Sequence, residues 1–295
     1  PPILLAERDE RRPKPRLGPA APSGAWIVAR TAPGSPEPSF GLWPARRDAK
    51  PVFADRPGTP LSWTADGGLL LATDPATPTT LLALEPTFGN TTTLLTITQG
   101  TLAGAFWPRT GPILLAHERD GDLLVSTYRG PDNRMVLARL PGRTLVPGSF
   151  SISPDATTLA LLASDPTSPT LELHRIDVQS GQQLLLDQSA VVTGTPGLVW
   201  SPQGQLFYDL GTGLRLYDAS LNIISPLGLG ARPLAWSGQS LLARLSDTGG
   251  LVRWTNGALL PFANNGSQVI VDDALPLIGG DALTIDGQLW LVDLP

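Results

Sequence analysis

Two histidines, His117 and His174, and no cysteine are what this sequence offers toward nucleophilic or soft-metal chemistry. Without a thiol there is no disulfide, no thiolate nucleophile and no Cys-ligated zinc or iron–sulfur centre. A Ser-His-Asp triad would have to be built on one of the two imidazoles. His117 opens the run His117-Glu118-Arg119-Asp120-Gly121-Asp122, the most polar hairpin loop in the chain. An Asp-Gly pair is what a tight hairpin needs, because glycine adopts positive φ freely. The same run also sets Glu118, Asp120 and Asp122 close together, three carboxylates able to hold a hard cation such as calcium, although their spacing matches no recognised calcium loop. His174 lies in the alternating segment Leu171–Val178, on the face opposite Leu171 and Leu173, which is a strand-surface or inter-sheet position. Asp272-Asp273 is a second acidic pair and reads as a solvated loop. No Gly-x-Ser-x-Gly elbow, Gly-x-Gly-x-x-Gly run or phosphate-binding Gly-Lys-Ser/Thr is present. Asn90-Thr91-Thr92 and Asn265-Gly266-Ser267 fit the acceptor pattern for N-linked glycans, as many matches as chance supplies in a chain this long.

The elements that would carry these residues are short strands. Gly and Pro number 31 each and charged residues make up only 16%, while the 41% hydrophobic residues suffice for a core, so tight turns between strands explain the composition better than disorder does. A net charge of −5 gives no basic footprint for nucleic acid. No apolar run reaches the roughly 18–20 residues that cross a bilayer. The sequence starts Pro1-Pro2 without an initiator Met, from which a signal peptide or anchor is expected to have preceded it.

The clearest copy of a repeated unit is Phe150–Leu186: a strand into Ser153-Pro154-Asp155, a strand Leu159–Ala163, a Pro-rich loop, a strand Leu171–Val178, a Ser180-Gly181 turn and a strand Gln183–Leu186. Four antiparallel strands in about 40 residues, repeated, define a β-propeller blade. The position of Ile152 recurs at Ala20, Trp63, Trp107, Trp200, Trp236 and Ile278. The predicted fold is therefore all-β, a single seven-bladed β-propeller domain of four-stranded antiparallel blades over residues 1–295. Its blades start near 17, 60, 104, 149, 197, 233 and 275. The last unit has room for three strands only, so residues 2–6 are expected to supply its fourth and to hide two sheet edges. The bulky residues at Trp63, Trp107, Trp200 and Trp236 are predicted to pack between neighbouring sheets. The charged run Glu7–Arg16 reads as a solvated connector.

Ser153-Pro154-Asp155, the following LALLAS, and Asp177 to Gly181 after the third strand resemble the repeat of TolB-like propellers and of the propeller domains of prolyl-oligopeptidase-type peptidases. That resemblance implies a module that presents loops to partner proteins or peptides, with no residue transferable as catalytic. The expected function is non-catalytic protein–protein interaction or scaffolding, without a cofactor, in an extracytoplasmic (periplasmic, cell-surface or secreted) or membrane-associated bacterial assembly. On this register the strongly charged side chains at the loop end come from Arg56, Glu37 and the His117–Asp122 loop. The partner-binding candidates are thus His117, Glu118, Arg119, Asp120, Arg56 and Glu37. The alternative is a glycan-binding or glycan-cleaving propeller that uses carboxylates at the channel mouth, which requires convergent acids and at least one strongly perturbed pKa.

Overall fold

The computed structural model describes residues 3–6, 16–31, 38–46, 50–108, 111–130, 133–190, 196–228, 230–237, 240–255, 257–261, 263–264, 267–268, 270–277, 280–285 and 288–292. Among them every regular element is a strand. β1 is Ile3–Ala6. β2–β5 are Arg16–Leu17, Trp26–Arg30, Ser39–Pro44 and Phe53–Pro57, and β6–β9 are Pro60–Trp63, Leu70–Thr73, Thr80–Leu84 and Thr91–Thr96. β10–β13 are Thr101–Phe106, Ile113–Arg119, Asp122–Tyr128 and Arg134–Leu140. β14–β17 are Thr144–Ile152, Thr158–Ser164, Leu171–Asp177 and Gln183–Ser189. β18–β21 are Gly197–Trp200, Gln205–Asp209, Leu214–Asp218 and Ile223–Pro226, and β22–β25 are Ala231–Ser237, Ser240–Leu245, Leu251–Thr255 and Ala258–Pro261. A small hairpin, β26 (Ala263–Asn264) with β27 (Ser267–Gln268), precedes β28–β30 at Asp273–Leu277, Gly280–Ile285 and Gln288–Val292.

Two compact units divide these strands. The first is Pro1–Asp120, Ser126–Met135 and Asp272–Pro295; the second is Gly121–Val125 and Val136–Val271. The first contains three whole four-stranded antiparallel sheets: β2–β5, β6–β9, and β28–β30 with β1 added. In that last sheet Ile3 lies opposite Leu291 and Leu4 opposite Trp290, which is the place the sequence assigns to the N-terminal strand. The second unit contains β14–β17, β18–β21 and β22–β25, each whole. The strands β10–β13 hydrogen-bond in that order, but the boundary between the units passes through β12 and β13.

The expectation of seven equivalent blades is corrected accordingly: six four-stranded blades are undivided, three in each unit. Recurring turns mark where a first strand ends. They do not say whether the strands that follow pack into one compact body, which depends on burial, and β13 leaves Met135 and Val136 more than half exposed.

Middle strands are buried on both faces because a sheet lies on either side of them. All four residues of β7 and six of the seven in β15 are buried. Apolar clusters fill the spaces between successive sheets within each unit. One joins Val28 and Leu42 to Trp63 and Leu70; another joins Ala160 and Leu173 to Trp200 and Tyr208. The four tryptophan anchors do pack between sheets, whereas Ala20 is exposed. Trp63 is 3% exposed and its indole N–H donates to the Pro19 carbonyl at 3.0 Å; Trp200 donates likewise to the Ser151 carbonyl at 3.3 Å. Trp107 and Trp236 are half-buried against similar clusters. Ile278 lies outside the described residues.

Candidate functional site

The hairpin from His117 to Asp122 does not gather its polar groups. His117 sits within β11 and is fully buried, and the Arg134 guanidinium lies against both its ring nitrogens, with Nη2 at 3.1 Å from Nδ1. The Arg134 Nε donates to the Ser126 hydroxyl at 3.3 Å. Burial first, then the positive charges of Arg134 and Arg119, push the imidazole down to about 4. A neutral ring that accepts from a guanidinium is occupied internally and cannot offer that lone pair to a metal. At the hairpin tip Arg119 pairs with Asp120 at 3.1 Å, with Asp120 at φ 53° and Gly121 at φ 81°. Asp122 turns the other way. It accepts from the Gly142 N–H at 3.0 Å and from the Arg139 Nε at 2.6 Å, and these bonds hold it below the usual carboxylate range. Glu118 is half-buried on β11. Among the described residues no group of three His, Asp or Glu side chains converges in a way that could hold a metal ion.

Arg56 is also used internally. Its guanidinium donates to the Gly89 carbonyl at 3.3 Å and to the Thr91 hydroxyl at 2.5 Å, bracing the β8–β9 hairpin. Glu37 lies outside the described residues.

The polar groups that do converge lie in the second unit, at one end of β14–β17 and β18–β21. In an antiparallel sheet the start of the third strand and the end of the fourth lie side by side, and here Leu171 is opposite Ser189 and Glu172 opposite Gln188. Arg143, in the turn before β14, grips Glu172 with both prongs, Nε to Oε2 at 2.9 Å and Nη2 to Oε1 at 2.7 Å. Its Nη1 also reaches Asp165 at 3.3 Å. Glu172 Oε2 pairs with His174 Nε2 at 2.9 Å, and Gln183 Nε2 meets His174 Nδ1 at 3.2 Å. The hydrogen bonds from Arg143 hold Glu172 ionised below its ordinary range. Burial lowers His174, outweighing the attraction of Glu172.

On the opposite face of the same sheet, Asp187 bridges to the neighbouring sheet. It accepts from the Tyr208 hydroxyl at 2.7 Å and from the Arg215 Nη1 at 2.5 Å. Burial, then the bond to Asp187, push the phenol well above its usual value. Beside this cluster Asp209, 1% exposed, accepts three backbone N–H groups, from Gly211, Thr212 and Gly213, between 2.7 and 3.0 Å.

Every ionisable group here whose pKa is displaced is displaced so as to keep its form at neutral pH: carboxylate ionised, guanidinium charged, phenol and imidazole neutral. The displaced carboxylates of this cluster, Glu172 and Asp165, are both lowered, the opposite of what a general acid needs. The arrangement is a largely buried polar network whose hydrogen bonds are satisfied internally. From the sequence the functional charge is expected in Arg56, Glu37 and the His117 hairpin. That reading misses Arg143, Glu172, Asp187 and Arg215, because a charged residue one step inside an alternating strand reads as a solvent face. The available signal was that Glu172 and His174 share the face opposite Leu171 and Leu173.

The second feature of this unit is apolar. Its outer strands expose aliphatic side chains: Val136 on β13, Leu184 and Leu185 on β17, Ile223 on β21 and Leu260 on β25 are 45–55% exposed. The corresponding outer strand of the first unit, β9, exposes Thr91, Thr92 and Thr93 instead.

No family model and no curated protein matches this chain. Solved structures do match, over nearly its whole length. Virginiamycin B lyase from Staphylococcus aureus aligns with 100% of this chain and 99% of its own, with a TM-score of 0.63 and 13% identity. A propeller in the mitotic checkpoint complex covers 100% of this chain and 91% of its own, with a TM-score of 0.62 and 13% identity. Prolyl endopeptidase covers 95% of this chain, which spans 45% of that enzyme, with a TM-score of 0.63 and 14% identity. At these identities the likeness defines the class by fold alone, a β-propeller, and the set includes enzymes as well as a member of a protein assembly.

Proposed function

We propose that this chain is a non-catalytic interaction propeller that docks a protein partner, acting on the extracytoplasmic side of the cell in a membrane-associated assembly. The observation that carries this reading is the set of half-exposed aliphatic residues on the outer strands of the second unit, Leu184, Leu185, Ile223 and Leu260 among them. Exposed aliphatics on a folded sheet are retained at a cost in solubility, and a partner surface is their usual reason. The locked ion pairs of Arg143–Glu172 and Asp187–Arg215 support it from another side, since they supply fixed charge without a free acid or base. The extracytoplasmic placement rests on the TolB-like repeat at Phe150–Leu186.

The test is site-specific photo-crosslinking in the source cells, with a crosslinker placed in turn at Leu184, Ile223 and, as control, Thr92. A discrete adduct of the same partner from the first two positions and not from the third is expected. Equal labelling at all three, or none, would remove the outer strands as the docking surface. Fractionation of the same cells tests the compartment.

A further inference from the structure

The hairpin between β8 and β9 carries the residues Glu85-Pro86-Thr87-Phe88-Gly89-Asn90-Thr91-Thr92. Its loop is tightly specified. The Glu85 carboxylate accepts the N–H groups of Thr87 at 2.9 Å and Phe88 at 2.8 Å, and the Gly89 N–H bonds to the Glu85 carbonyl at 2.9 Å. The Glu85 N–H in turn donates to the Asn90 carbonyl at 2.8 Å. Gly89 takes φ 72°, and Arg56 ties its carbonyl and the Thr91 hydroxyl to β5.

On this fixed loop Asn90 and Thr92 are both exposed, and among the described residues neither the Asn90 carboxamide nor the Thr92 hydroxyl makes a hydrogen bond. Two residues before Asn90, Phe88 is 77% exposed, the most exposed large apolar side chain described. A benzyl ring at a turn tip gains nothing from water. It is matched to the apolar C–H face of a pyranose ring held a few ångströms away.

We propose that Asn90 is the acceptor of an N-linked glycan whose first sugar packs on Phe88. The inference is independent of the docking surface proposed above. The co-reactant is a lipid-diphosphate-linked oligosaccharide presented by a transferase. The Asn90 carboxamide nitrogen forms a bond to the anomeric carbon, the bond from that carbon to the diphosphate oxygen breaks, the lipid diphosphate leaves with the electron pair, and the amide proton passes to a base of the transferase. Thr92 supplies the hydroxyl that such transferases recognise two residues beyond the acceptor.

The experiment is peptide mass spectrometry on the full protein isolated from its own source, with and without enzymatic removal of N-glycans, for the wild type, Asn90→Gln and Phe88→Ala. A glycan on the Asn90 peptide of the wild type, absent from Asn90→Gln, is expected. Removing the glycan should lower the melting temperature of the wild type and leave that of Phe88→Ala unchanged, because the ring that packs on the sugar is gone. An unmodified Asn90 in protein from its source overturns the proposal. A glycan whose removal shifts the wild type and Phe88→Ala equally overturns the role of Phe88.

Discussion

Arg143 and Glu172, 29 residues apart in sequence, form a two-pronged ion pair that closes the turn before β14 onto the start of β16. The pair is three-quarters or more buried at both side chains, so its partners depend on each other. Removing one leaves a desolvated charge, the costly outcome for such pairs. Arg143→Ala is expected to lower stability by about 2–3 kcal/mol in urea unfolding, and Arg143→Lys by about half as much, because a lysine keeps the charge and loses the fork. Equal losses for the two substitutions would show that the second prong contributes nothing.

His117 should make the protein acid-sensitive in a defined window. Its folded value of about 4 lies below the ordinary 6.5, so between those values the unfolded chain binds the extra proton. Its contribution is complete above pH 6.5 and is lost as the pH falls toward 4. The full loss amounts to about 3 kcal/mol by the conversion of 1.36 kcal/mol per unit. His174 is shifted in the same direction and adds to the slope. Stability measured from pH 7 to pH 4 is expected to fall less steeply in His117→Gln than in the wild type. Parallel curves would place the proton uptake elsewhere.

These two sites show what the sequence could and could not convey. The blade pattern is legible because its cause is local. Ser153 and Asp155 hydrogen-bond to each other at 2.5 Å and to the backbone of Thr158 and Thr157, and Thr64 and Asp66 repeat the arrangement in the turn between β6 and β7, two four-stranded sheets earlier in the chain. The Asp177 turn is local in the same way. Its carboxylate accepts from the backbone of Gln179 and Ser180 and Gly181 takes φ 72°, while at Asp218 the equivalent place is filled by Asn222 at φ 53°. An asparagine in the place of glycine makes that copy of the turn a weaker match to the Asp-to-Gly spacing. The polar site was not legible, because Arg143 meets Glu172, and Asp187 meets Tyr208 and Arg215, across strand pairings rather than along the chain. His117 in particular looked like the edge of a loop. Its register opposite Leu102 puts it inside the sheet.

The bridge from Asp187 to Tyr208 offers a measurement of how firmly the two neighbouring sheets are joined. Tyr208→Phe removes only the hydroxyl, and Asp187 keeps its bond to Arg215. A loss of about 1–2 kcal/mol is expected, the range for one hydrogen bond to a charged acceptor. Combined with Arg215→Ala, the losses should be non-additive, because both groups serve the same carboxylate oxygen. Additive losses in a double-mutant cycle would mean that the two donors act separately.

Gly100 separates the two reasons for which a turn needs glycine. It adopts φ 90°, and a Cβ there would lie 2.1 Å from the Glu118 carbonyl oxygen, a backbone atom that cannot swing aside. Gly121, in the adjoining hairpin, adopts φ 81° with nothing within 4 Å of an added Cβ. Gly121→Ala therefore meets conformational strain alone, about 1 kcal/mol, whereas Gly100→Ala adds a clash that forces β10 and β11 apart, for a total of about 3 kcal/mol or more. Melting temperatures of the two variants, measured side by side, are expected to differ by several degrees with Gly100→Ala the lower. Equal shifts would show that β10 yields to the new methyl group at no cost, and that the close approach of Gly100 to Glu118 plays no part in holding these strands together.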